Sequence, residues 1–139
     1  MTRFHRPQPT KGKKIALSGS AETAKIDYNR EKPTFCLRYL DPQYCITSCD
    51  RDDKAAFADK ARRMSLMTWN ELIQAPKHGM GFETIARTAI RRPIPTHIAE
   101  DVTLIAFRFS GLKPMVGYRI DGMFHIVWFD CDFTLYPHG

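Results

Sequence analysis

Met115-Val-Gly-Tyr118-Arg119-Ile120-Asp121-Gly122-Met123-Phe-His125-Ile-Val-Trp-Phe129 sets a strong turn signal between two strand-like runs. Asp121 and Gly122 both tolerate the positive backbone angles of a two-residue hairpin turn, so two strands meet there with Ile120 opposite Met123. Side chains alternate along a strand, and this register sets Tyr118 opposite His125 and Val116 opposite Val127. If Asp130-Cys131 is a second two-residue turn, Phe129 opposes Asp132 and His125 opposes Tyr136. Tyr118, His125 and Tyr136 then stand abreast on one face.

Upstream, Thr103 to Phe109 alternates as a further strand, joined to Met115 through Ser110 to Pro114. Setting Phe109 beside Met115 brings Arg108 to the histidine face. The opposite face collects Ile105, Phe107, Phe109, Met115, Phe124, Ile126, Trp128, Phe133 and Leu135, an apolar surface that calls for a helical cover. Ala106, Val116, Val127 and Phe129 share the histidine side, which is expected to be half-covered by the N-terminal extension or a partner chain. Beneath such a cover the three rings would form a hydrogen-bonded patch; open to solvent they would form a site.

The cover lies earlier in the chain. Phe35 to Leu40 reads as a first strand stopped by Asp41-Pro42, with Phe35, Leu37 and Tyr39 on one face. From about Asp53 the period becomes helical, with Phe57, Ala61 and Met64 in one stripe. Thr68-Trp-Asn-Glu71 is a capping box that opens a second helix ending near Gln74 or Ala75, before Pro76. Phe82 to Ala89 suggests another short helical turn, and Arg91 to His97 a loop. The fold class is therefore α+β: an antiparallel sheet of about four to five strands with two to three helices packed on one face.

The chain of 139 residues is 43% hydrophobic and 12% aromatic, which suits a single packed domain over residues 33–139. Residues 1–32 are polar, with Pro7, Pro9, Gly12 and Gly19, and read as a flexible or partly ordered basic extension. Lys11-Gly-Lys-Lys lacks the leading glycine and the hydroxyl residue of a phosphate loop. Lysine and arginine number 21 against 15 acidic residues, a net charge of +6 that favours RNA or another anionic partner. Lys11, Lys13 and Lys14 form one basic group. Lys60, Arg62 and Arg63 form a second and Arg87, Arg91 and Arg92 a third; the latter two are the candidate nucleic-acid contacts.

Cys36, Cys45, Cys49 and Cys131 follow no apolar signal segment and are read as reduced, in a cytoplasmic protein. Cys45 and Cys49 could supply two zinc ligands, but about four are needed and the histidines provide no matching pair, so neither metal nor cofactor is expected. No apolar run is long enough to span a membrane.

RNA carries its own nucleophile in the 2′-hydroxyl, so a protein that moves protons and neutralises a phosphorane can cleave it unaided. His125 is the first candidate acid or base. Arg108 or Arg119 would contact phosphate, and Tyr118 or Tyr136 would orient groups or donate a proton. Arg119 falls on the packed face, near its outer end, where its side chain could still reach solvent. Asp130 and Asp132 read as turn residues rather than metal ligands.

The order strand, two helices, antiparallel meander resembles the RelE-like toxin fold of bacterial toxin-antitoxin systems. The similarity is carried by Arg108-Phe-Ser-Gly-Leu-Lys-Pro-Met-Val-Gly-Tyr118-Arg119, Phe124-His-Ile-Val-Trp-Phe-Asp130 and Leu135-Tyr136. It spans Pro33 to Tyr136. The resemblance implies a ribonuclease that cuts messenger RNA with basic residues and a C-terminal aromatic, restrained by an antitoxin protein. Arg119 matches the family's arginine in its glycine-aromatic-arginine strand, and Tyr136 its terminal aromatic; His125 falls on no familiar catalytic position. The alternatives are a non-catalytic RNA-binding or protein-interaction module on the same fold, or a homodimer that buries the aromatic face.

Overall fold

The computed structural model describes residues 25–138. Lys11, Lys13 and Lys14 lie outside the described residues. Asp50 opens the long helix α1 (Arg51–Met64) by accepting from the Asp53 amide at 2.8 Å. The Thr68–Glu71 capping box is complete and opens α2 (Trp69–Gln74), where Ala75 leaves helical geometry before Pro76. The strands are β1 (Thr34–Cys36), β2 (Phe82–Ile85), β3 (Leu104–Ser110), β4 (Lys113–Ile120) and β5 (Met123–Phe129).

They form a five-stranded sheet in the order β1-β5-β4-β3-β2. It is mixed rather than antiparallel. β1 runs parallel to β5; the helical connection through α1 and α2 leads into β2 at the far edge, and three antiparallel steps through β3 and β4 bring β5 back beside β1 in the same direction. The first strand is also shorter than expected: the parallel ladder ends at Cys36, and Leu37 and Tyr39 are exposed. Phe82–Ile85, expected as helix, is the edge strand β2, paired antiparallel with β3. Ala86 then breaks to a 3-10 turn at Arg87–Ala89.

The Asp121–Gly122 hairpin stands as expected, with Ile120 opposite Met123, Tyr118 opposite His125 and Asp121 at φ 56°. Beyond it the register changes. Val116 pairs with Trp128, not Val127, across a bulge beside Gly117. A Cβ at Gly117 would lie 1.8 Å from the His125 carbonyl oxygen, so a residue without a side chain permits this approach. The bulge turns Trp128 away from the helices, to the face opposite the one alternation assigns. On the other side of β4, Phe107 rather than Phe109 pairs with Met115, since Ser110 meets Lys113 across a tight turn at Gly111, φ 59°.

The sheet buries both faces. Met64, Trp69 and Leu72 of the helices pack on Phe107, Phe124 and Ile126 of the sheet, with Phe57 set edge-on to Phe129 at 4.9 Å. Burying each large side chain contributes roughly 1.5–3 kcal/mol. The opposite face packs Leu104, Val116, Tyr118, Val127, Trp128, Leu135 and Tyr136 beneath Ala89, Ile90, Ile94, Ile98 and Val102. Among the described residues, the chain's own segment after β2 supplies this cover. Tyr28–Arg30, within the expected extension, forms a 3-10 turn, and the Trp69 amide donates to the Glu31 carbonyl at 3.0 Å.

Two half-buried ionic contacts tie the layers together. Asp53 accepts from Ser110 Oγ at 2.7 Å and Lys113 Nζ at 2.8 Å, clamping α1 to the β3–β4 turn. Burial alone would raise its carboxyl, yet these bonds hold it below the usual range. Arg92 forks onto Asp41 at 2.8 and 2.9 Å, fixing the cover over Trp128, whose indole also donates to Asp41. Cys49 and Cys131, expected as thiols, are joined by a disulfide. The turn segment before α1 packs against the end of β5, which brings the two sulfurs together.

Candidate functional site

Asp132 to Tyr136 does not form the expected last strand. Asp130 is fully buried and its carboxylate accepts from the amides of Thr134 at 2.8 Å and Leu135 at 3.0 Å, curling the chain back on itself. Phe133 enters the left-handed region at φ 59° in the same bend. The predicted row of three rings is therefore divided: Tyr118 and His125 remain neighbours, and Tyr136 is carried to another part of the same face. The place opposite His125 on its other side is taken by Cys36 of β1.

Tyr136 instead lines a cavity of about 450 Å³ together with Arg108, Lys77, Glu83, Phe133 and His138. Arg108 reaches it from β3, on the face expected for it, and donates to His78 Nδ1 at 3.3 Å. Lys77 and Glu83 form an ion pair at 3.1 Å on the rim. His138 Nε2 donates to Asp130 Oδ2 at 2.9 Å, which leaves Nδ1 as the nitrogen not committed to Asp130. The Tyr136 and His138 rings lie 4.1 Å apart. Burial pushes the Tyr136 phenol up to about 12, with Glu83 and Asp130 adding to the rise and Arg108 opposing it. The phenol therefore stays protonated at neutral pH and can only give a proton. One pocket thus joins a cation, a protonated phenol and an imidazole oriented by a buried carboxylate, the arrangement that proton transfer at a phosphate ester uses.

Tyr118 and His125 form a second constellation. Their rings stack at 4.8 Å and 8°, and His97 Nε2 lies 2.8 Å from the Tyr118 hydroxyl, with Tyr39 packed on His97 at 4.3 Å. Burial, with His97 nearby, lowers the His125 pKa; burial, with Tyr39 and Cys36, raises that of Tyr118. His125 Nδ1 is buried without a partner. Neither residue lines the Arg108–Tyr136 cavity. Arg119 is on the helix face, stacked over Trp69 at 4.2 Å and donating to the Asp121 carbonyl.

The basic groups are dispersed by their partners. Lys60 is not a surface contact: it is 4% exposed and donates to the Gly79 carbonyl at 3.1 Å, its pKa lowered to about 8 by burial and by Arg63. Arg87 is spent on the carbonyls of Ile98, Ala99 and Val102, and Arg92 on Asp41. Arg62, Arg63 and Arg91 are exposed, Arg63 paired with Asp59.

His138, Glu83 and Lys77 escape a sequence reading because no strand or helix period includes His138 and because Phe82–Ile85 reads as helix. The usable signal is Asp130, an acidic residue at the end of an apolar strand, where a carboxylate commonly captures the backbone that follows it. Comparison of the chain with family models, with curated proteins and with solved structures gave no match. Among the described residues no helix is long and apolar enough to cross a membrane.

Proposed function

We propose that this chain is a metal-independent endoribonuclease of toxin type, built on a RelE-like architecture and acting in the bacterial cytoplasm on RNA. The observation that carries the reading is the shared cavity in which Arg108 and Tyr136 meet the Asp130-oriented His138. In this mechanism His138 takes the proton from the 2′-hydroxyl, the oxygen attacks phosphorus, and Arg108 offsets the charge gathering on the phosphorane. Tyr136 returns a proton to the departing 5′-oxygen. The products are a 2′,3′-cyclic phosphate and a 5′-hydroxyl end. An antitoxin protein that fills the cavity is the partner expected for such an enzyme; a homodimer would have to leave this mouth open.

The test is incubation of folded protein with RNA in the presence of a chelator. Wild type is expected to yield cyclic phosphate ends, with Tyr136→Phe and His138→Gln each slower by on the order of 100-fold, and with 2′-deoxy substrate untouched. Intact RNA with wild-type protein that retains its native circular dichroism overturns the catalytic assignment. Salt-sensitive binding without product would transfer the cavity to a non-catalytic RNA-binding module.

A further inference from the structure

The disulfide sits in a setting that suits a metal once its sulfurs are free. The Sγ atoms of Cys49 and Cys131 and a carboxylate oxygen of Asp53 all lie within 4.8 Å of one another. Their positions are set by unrelated elements: the turn before α1, the bend after β5, and the first turn of α1. A second cavity of about 150 Å³ opens over the disulfide and is lined by the free thiol Cys45 as well as by Cys49 and Cys131.

We propose that the reduced protein binds zinc through Cys49, Cys131 and Asp53, with Cys45 or a water from the adjoining cavity as fourth ligand, and that the disulfide is the metal-free state of the same site. The Cα atoms of the pair are 6.1 Å apart. Two thiolates on one tetrahedral zinc stand only ~3.8 Å from each other at Zn–S distances of ~2.3 Å, so rotation of the two side chains suffices. Asp53 would bind through one lone pair while keeping Ser110 and Lys113 on its carboxylate, an outer shell that fixes the ligand's orientation. Charge also closes. With water as the fourth ligand, zinc with two thiolates and one carboxylate carries −1, and the Lys113 ammonium 2.8 Å from Asp53 offsets it.

The reaction balances with a dithiol as co-reactant. Two electrons from the dithiol break the Cys49–Cys131 bond, the dithiol becomes its own disulfide, and both cysteines take up protons. Zinc binding then releases those protons to solvent. This site does not depend on the ribonuclease reading.

Cobalt(II) is the probe. Full-length protein is reduced with a phosphine, freed of it, checked for native circular dichroism and titrated with cobalt. One equivalent is expected to give thiolate-to-metal charge-transfer absorption and tetrahedral ligand-field bands, both bleached by zinc and both missing from the oxidised protein. Cys131→Ser should weaken binding by more than about 100-fold, beyond the effect of an outer-shell change. Asp53→Asn should also weaken it, while Cys36→Ser should bind as wild type. Reduced protein that stays folded without these bands overturns the proposal. So does reduced protein that unfolds and is not refolded by cobalt, or equal binding by wild type and Cys131→Ser.

Discussion

Asp130→Ala removes the group on which the C-terminal bend depends. The side chain is fully buried and serves three donors: the Thr134 amide at 2.8 Å, the Leu135 amide at 3.0 Å and His138 Nε2 at 2.9 Å. Each buried donor left without a partner costs about 1–3 kcal/mol. His138 and the exposed Thr134 can turn to solvent, so the buried Leu135 amide dominates, and with the small cavity the loss comes to about 2–4 kcal/mol. For a chain of 139 residues that corresponds to a fall in Tm of roughly 6–12 °C, at about 3 °C per kcal/mol. Differential scanning calorimetry reads the total. Hydrogen exchange locates it, with protection lost first at Thr134 and Leu135 and retained in β3 to β5. A Tm within about 2 °C of wild type, with Thr134 and Leu135 still protected, would show that the bend has some other anchor.

Gly117→Ala places a Cβ 1.8 Å from the His125 carbonyl oxygen, so the bulge must open or β4 must shift; a loss of about 2–4 kcal/mol is expected in urea denaturation, against under about 1 kcal/mol for Gly111→Asn at the exposed turn. Lys60 titrates near 8 in the folded protein and at an ordinary 10.5 when unfolded, so the unfolded chain holds the extra proton between those values. Stability should therefore rise with pH from 8 to 10, by on the order of 2 kcal/mol, before Tyr118 and Tyr136 begin to oppose it. Lys60→Met should flatten that slope in pH-dependent thermal scans, and an unchanged slope would remove Lys60 as its source. Arg92→Gln breaks a two-pronged contact with Asp41, which also accepts from the Trp128 indole; a lower Tm is expected in thermal scans, and stability equal to wild type would assign the cover to apolar packing alone.

The elements legible in the sequence are those governed by local chemistry. Thr68 and Glu71 satisfy each other's backbone, and Asp121-Gly122 admits a single short turn, so α2 and the β4–β5 hairpin follow from neighbouring residues alone. The Phe57–Met64 stripe likewise declares the face of α1 that meets the sheet. What escapes is non-local. Phe124-His-Ile-Val-Trp-Phe129 is apolar at almost every position, so a one-residue bulge leaves no break in its pattern, and only Gly117 on the partner strand marks it. Alternation beyond the bulge then assigns Trp128 to the wrong face. Asp130 bonds to residues four, five and eight positions further on, which converts an expected strand into a bend and exchanges Tyr136's neighbours from Tyr118 and His125 to Arg108 and His138. Arg108 kept its face despite the changed loop. The Cys49–Cys131 link joins positions 82 residues apart and depends on the packing of a segment with no period of its own.

The most direct measurement is an NMR titration of the folded protein with a short RNA whose 2′-hydroxyls are replaced by fluorine, so that binding occurs without cleavage. Saturable shifts are expected at Arg108, Tyr136 and His138, with the Tyr118–His125 stack unmoved. Shifts confined to Tyr118, His125 and His97, or no shifts at low salt, would overturn the assignment of RNA to this cavity.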